Sequence, residues 1–83
     1  MYRLELKAAA VRALRKLDSG TAERVRGAMA LLGVEPRPPA SRKLSGRDAY
    51  RIRVGDYRIL YTIDDAGSLV IIVVVGHRSN VYR

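Results

Sequence analysis

Tyr50-Arg51-Ile52-Arg53-Val54-Gly55-Asp56-Tyr57-Arg58-Ile59-Leu60-Tyr61 decides the fold of this 83-residue chain. Apolar residues recur at every second position on both sides of Gly55-Asp56, the spacing of strands with one buried face. A Gly-Asp pair between two such runs signals a two-residue hairpin loop. With Gly55 and Asp56 as the loop, Val54 faces Tyr57, Arg53 faces Arg58, Ile52 faces Ile59 and Tyr50 faces Tyr61. Tyr50, Ile52, Val54, Tyr57, Ile59 and Tyr61 then share one face, and Arg51, Arg53, Arg58 and Leu60 share the other. A slip of one residue would turn the whole apolar set into water, so the pattern specifies the register.

The chain on either side follows from period and punctuation. Asp64-Asp65-Ala66-Gly67 is a second turn. Leu69 to Val75 is apolar on both faces and belongs inside the sheet, paired with the Arg58 strand across that short turn. Upstream, Leu4 and Leu6 alternate with Arg3 and Glu5, a short strand. From Lys7 to Leu17 the period becomes helical, with Ala10, Leu14, Leu17 and the adjacent Val11. Asp18-Ser19-Gly20 breaks that helix, and Ser19 is the expected N-cap of a second, with Glu23 in its first turn. Val25, Ala28, Met29 and Leu32 form its apolar face. Gly33 is the expected end, and Pro36, Pro38 and Pro39 prevent a restart. Pro36 to Asp48 reads as a loop anchored by Leu44. The fold predicted is α+β: a small antiparallel sheet with an N-terminal strand, an αα-hairpin packed on one face, and a C-terminal three-strand meander. Residues 1–83 form a single domain.

Sixteen Lys and Arg stand against eight Asp and Glu, a net charge of +8, and thirteen of the sixteen are Arg. Arginine grips phosphate or carboxylate with a planar fork and stacks on bases. The surface therefore suits a polyanion, nucleic acid first and an acidic protein second. With no Cys and one His, thiol nucleophiles, disulfides and multi-histidine metal sites are excluded. Asp64 and Asp65, adjacent in a tight turn, read as solvated, and no metal or cofactor is expected. No apolar run approaches the ~18–20 residues of a membrane span. Met1 leads directly into Tyr2-Arg3-Leu4 without an apolar signal region, so the cytoplasm is the expected compartment.

The hairpin register makes the arginines informative. Like charges directly opposite on paired strands destabilise the pair. Arg53 faces Arg58 with Arg51 beside them, while Asp56 lies in the turn and Asp48 precedes the strand. Three guanidinium groups on one patch call for an anion. His77 and Arg78 directly follow the apolar strand. Histidine, with an ordinary pKa of about 6.5, is the side chain suited to proton transfer near neutrality. Along a strand His77 and Arg78 would point to opposite faces, and a bend at Gly76 would be needed to bring His77 to the arginines. Tyr82 is a candidate for stacking on a base.

The hairpin sequence, Gly76-His77-Arg78 and Val81-Tyr82 resemble the signature of the RelE/ParE toxin superfamily, and the element order agrees over essentially the whole chain. The likeness is closer to RelE than to ParE. It implies a ribosome-dependent endoribonuclease that cuts mRNA in the ribosomal A site and is silenced by an acidic RelB-like antitoxin in a hetero-oligomer. It also implies that Arg51, Arg53, Arg58, Arg78 and Tyr82 form the catalytic set, without a metal. The first two positions are often Lys in members of the family. Arginine is not deprotonated in proteins, so Arg51 and Arg53 serve as electrostatic groups rather than bases, and His77 becomes the candidate for proton transfer. The sequence ends at Arg83 without the C-terminal helix of some relatives, so closure by such a helix is not expected. The alternatives are a non-enzymatic ParE-like inhibitor of DNA gyrase and a plain RNA-binding module. Cleavage leaving a cyclic phosphate separates the first reading from both, and inhibition of supercoiling separates the other two.

Overall fold

The computed structural model describes residues 1–77. In chain order the elements are β1 (Arg3–Leu6), α1 (Ala8–Lys16), α2 (Ser19–Val34), β2 (Arg42–Lys43), β3 (Tyr50–Val54), β4 (Tyr57–Asp64) and β5 (Leu69–His77). The strands form one sheet in the order β1-β5-β4-β3-β2. This is the expected α+β architecture.

The β3–β4 hairpin has the predicted register, with Val54 opposite Tyr57, Arg53 opposite Arg58, Ile52 opposite Ile59 and Tyr50 opposite Tyr61. Gly55 sits at φ +58°, the left-handed value that a glycine-first hairpin turn requires. β4 and β5 pair antiparallel, with Tyr57 opposite His77, Arg58 opposite Gly76 and Ile59 opposite Val75. The register then shifts: Leu60 faces Val74 but Tyr61 faces Ile72. Val73 is therefore an extra residue, a β-bulge.

The sheet departs from the expected pattern at both edges. β1 lies beside β5 in parallel, with Leu4 opposite Val70 and Leu6 opposite Ile72, so the sheet is mixed rather than wholly antiparallel. The meander occupies only one side of β5 and leaves the other open. The chain between them runs through both helices and the other three strands, long enough for the return that parallel pairing needs. At the opposite edge, the segment read as loop contains β2, antiparallel to β3, with Arg42 opposite Arg51 and Lys43 opposite Tyr50.

Both helices pack on one face. Ala10 and Leu14 of α1, Val25, Met29 and Leu32 of α2, and Ile59, Tyr61, Val70, Ile72 and Val75 of the sheet form one buried cluster. Each large aliphatic side chain buried there contributes about 1.5–3 kcal/mol. The N-cap of α2 is Asp18, not Ser19: its carboxylate accepts from the Thr21 backbone N–H at 3.1 Å. That hydrogen bond holds the Asp18 carboxyl below the usual carboxylate range. Ser19 is thus already helical, and Glu23 falls beyond the first turn. Gly33 does not end α2, which continues to Val34. Its carbonyl accepts from Tyr2 N–H at 2.8 Å, and a Cβ there would come within 3.1 Å of the Tyr2 carbonyl oxygen. Glycine lets β1 approach the helix at that point.

The loop after α2 is fastened to the sheet by its first residues rather than by Leu44, which is only half-buried and stands outside the core cluster. The fully buried Tyr61 donates its hydroxyl to the Pro36 carbonyl at 2.7 Å. Burial pushes the Tyr61 hydroxyl above its ordinary pKa, which keeps it a donor. Tyr50 stacks on Tyr61 at 5.8 Å between ring centroids.

Candidate nucleic-acid interface

The helix-free face carries the arginines because strand alternation sends their neighbours inward. Ile52 and Ile59 pack towards the helices, so Arg51, Arg53 and Arg58 project to the other side. Arg53 and Arg58 are directly opposed, which places their Cβ atoms ~4.5–5.5 Å apart. Arg53 is exposed, while Arg51 and Arg58 are half-buried. Half-buried arginines lay their aliphatic stems along apolar surface, and the Nε of Arg58 is itself buried. Two cations held at that spacing concentrate positive charge on this face and make it the candidate site for an anion.

The structure adds a residue that sequence reasoning missed. Arg42, opposite Arg51 on β2, extends the basic face by one strand. A cavity of about 270 Å³ is lined by Ala40, Arg42, Arg51 and Arg53. The adjacent Arg42-Lys43 was the available signal, but two residues show no period, and without the pairing to β3 their face was unreadable.

Arg37 was missed as well. Its guanidinium donates to both Asp65 carboxylate oxygens, at 3.2 and 2.9 Å, and through Nε to the Tyr50 hydroxyl at 3.1 Å. The Tyr2 hydroxyl donates to the same Asp65 carboxylate at 2.6 Å. Arg37 and Tyr2 together hold the Asp65 carboxyl down to about 2. This clamp ties the start of the loop to the residue before β1, to β3 and to the β4–β5 turn. Asp64 is engaged in the turn, where it accepts from Gly67 N–H at 3.0 Å.

His77 is placed away from the arginines. Its ring meets the Tyr57 ring edge-on at 5.6 Å and 87°. Tyr57 shares the face of Ile59, and it is Gly76 that lies opposite Arg58. β5 runs through His77 without the bend that would have turned the imidazole to the basic side. The side chain is consequently on the helix-facing side of the sheet. Arg78 and Tyr82 lie outside the described residues. Among the described residues no helix is long and apolar enough to cross a membrane.

The fold and its arginine-lined face define a small basic α+β domain with both helices kept off the charged side. Residues 4–82 match the model of the ParE toxin of the type II toxin–antitoxin system parDE, and the chain belongs to that family, within the RelE/ParE superfamily of type II toxins. It is similar to the RelE–RelB complex of Pyrococcus horikoshii, with a TM-score of 0.85 and 29% identity over 95% of this chain and 97% of that one. It is also similar to the intact E. coli RelBE toxin–antitoxin complex, with a TM-score of 0.82 and 30% identity over 93% and 96%. A curated relative, toxin RelG of Mycobacterium tuberculosis, is 44% identical over 45 residues, which span 54% of this chain and about half, 49%, of that protein.

Proposed function

We propose that this type II toxin is an endoribonuclease that cuts mRNA in the ribosomal A site of the cytoplasm, by attack of a 2′-hydroxyl on its own 3′-phosphate. The observation that carries the reading is the cross-strand pair Arg53–Arg58 on the helix-free face. The 2′-oxygen forms a bond to phosphorus and gives up its proton. The bond from phosphorus to the 5′-oxygen breaks, and the leaving oxygen takes up a proton. The products are a 2′,3′-cyclic phosphate and a free 5′-hydroxyl. Arg53 and Arg58 flank the phosphate and neutralise the charge that builds on its oxygens, an effect largest when the donors are already in place. Arg51 orients the strand and stabilises the developing alkoxide. Following the resemblance, Arg78 completes the phosphate cradle and Tyr82 stacks on a base. The positioning of the attack in line supplies the rest of the acceleration.

The natural brake is an acidic antitoxin bound in a hetero-oligomer. The relatives from P. horikoshii and E. coli are RelB–RelE complexes, and a charge of +8 steers an acidic partner into contact. Raising salt should then slow association more than it speeds dissociation. Primer extension on ribosome-bound mRNA, with chemical identification of the new ends, tests the reaction. Uncut mRNA in that assay, with inhibited supercoiling by gyrase, would favour the second reading, which the match to the ParE model keeps open.

A further inference from the structure

Arg58 on β4 and Arg42 on β2 stand on either side of β3. Arg42 is opposite Arg51 and Arg58 opposite Arg53, so two strand spacings of about 4.8 Å and a two-residue offset along the strand separate them at the backbone. Long side chains carried on strands that far apart serve a row of anions better than a single one. Between β2 and β3 lies the cavity of about 270 Å³ lined by Ala40, Arg42, Arg51 and Arg53. At ~30 Å³ per water, it holds several water molecules, room enough for a phosphodiester group and part of its hydration.

The Arg42 guanidinium is held in advance of any ligand. Its Nη1 donates to the Pro39 and Ser41 carbonyls at 3.2 and 3.1 Å. Ser41 is itself turned back on Pro38, whose carbonyl accepts from the Ser41 N–H at 2.9 Å and from its hydroxyl at 2.8 Å. The segment is fastened at its origin by the Tyr61–Pro36 bond and the Arg37–Asp65 pair. A fork fixed by its own loop loses little side-chain freedom when it takes a phosphate.

We propose that this cavity is a second phosphate subsite, in which Arg42 and Arg51 hold the backbone phosphate neighbouring the one flanked by Arg53 and Arg58. The ligand is a single strand of RNA, and the inference rests on the RNA-cleavage reading. Ala40 keeps the cavity open, so Ala40→Phe should close it without removing charge.

The test measures binding of a short, labelled, 2′-O-methylated single-stranded RNA, which cannot be cut, across a range of salt. Each phosphate contact on a single strand contributes a slope of about 0.7 in log K against log salt. Arg42→Gln should lower the slope by that amount. A fourfold rise in salt would then narrow the gap between wild type and variant about 2.5-fold. Arg42→Lys, which keeps the charge, should keep the slope. Ala40→Phe should weaken binding and lower the slope as Arg42→Gln does. All variants should melt like wild type, since both positions are exposed. An unchanged slope in Arg42→Gln, with a lowered slope in Arg58→Ala, overturns the subsite and leaves the cleavage reading standing. Unchanged slopes in both variants overturn both. If Arg42→Gln weakens capture of a polyglutamate peptide while its RNA slope stays at the wild-type value, the cavity serves an acidic protein and the proposal fails.

Discussion

Replacing Arg53 and Arg58 by alanine, singly and together, probes the centre of the proposed site. The two residues are directly opposed across the hairpin, and the proposed reading gives both guanidinium groups the same phosphate. A hydrogen bond to a charged group is worth about 1.5–3 kcal/mol. With each 1.36 kcal/mol a factor of ten in rate, either single variant should cut ribosome-bound mRNA roughly 10- to 150-fold more slowly. Two donors sharing one phosphate are coupled, so the double variant should fall short of the product of the single losses. The stability readout should move the other way for the exposed Arg53. Removing one of two opposed like charges relieves a repulsion on the scale of ~0.2–1 kcal/mol. At about 4–8 °C per kcal/mol for a domain of this size, Arg53→Ala should melt at the wild-type temperature or a few degrees higher. The assays are single-turnover cleavage read by primer extension, and thermal unfolding by circular dichroism. Cleavage within twofold of wild type in both single variants, with cyclic-phosphate products unchanged, would refute the assignment. So would strictly multiplicative losses in the double variant, since these would place the two arginines on separate groups.

Tyr61→Phe leaves the ring and its stacking on Tyr50 but removes the donor to the Pro36 carbonyl. An acceptor left unsatisfied in a buried site costs about 1–3 kcal/mol, and urea unfolding should show the loss as a lower midpoint at constant slope. Asp65, held down to about 2 by Arg37 and Tyr2, contributes stability that is full above its unfolded value near 4 and is lost as pH falls towards 2. Asp65→Asn should therefore lose stability at neutral pH and flatten the acid limb between pH 4 and 2 in a melting series; an unaltered limb would remove the clamp from the account. His77→Ala should leave single-turnover cleavage within about threefold of wild type, because the imidazole packs on Tyr57 across the sheet. A loss in the 10²- to 10⁴-fold range of general acid–base groups would return His77 to the site.

The legible part of the site was the part encoded by alternation. Tyr50, Ile52, Val54, Ile59 and Tyr61 mark one face at every second residue, and Arg51, Arg53 and Arg58 are placed by elimination on the other. His77 was not legible for the opposite reason. Leu69 to Val75 is apolar on both faces, so no alternation fixes which residues point inward. The bulge at Val73 then reverses the parity partway along. Val70 and Ile72 face the helices before it, and Val75 and His77 do so after it. A count carried forward from Val70 and Ile72, without the bulge, would turn His77 to the basic side with no bend at Gly76.

By itself the sequence determined the hairpin, its register, the helical segments and the basic outer face. These follow from periods of two and 3.6 residues and from glycine in the turn, all of them local in the chain. Only the tertiary structure decided that β1 runs parallel to β5, that Arg42 joins Arg51 at the cavity, that Arg37 and Asp65 clamp the loop between them, and that His77 faces Tyr57 rather than the arginines. Each of these depends on pairing between segments distant in sequence or on a single inserted residue. Such pairings are settled by which strand edge is left open and which buried groups must find partners, and no local pattern of residues records the answer.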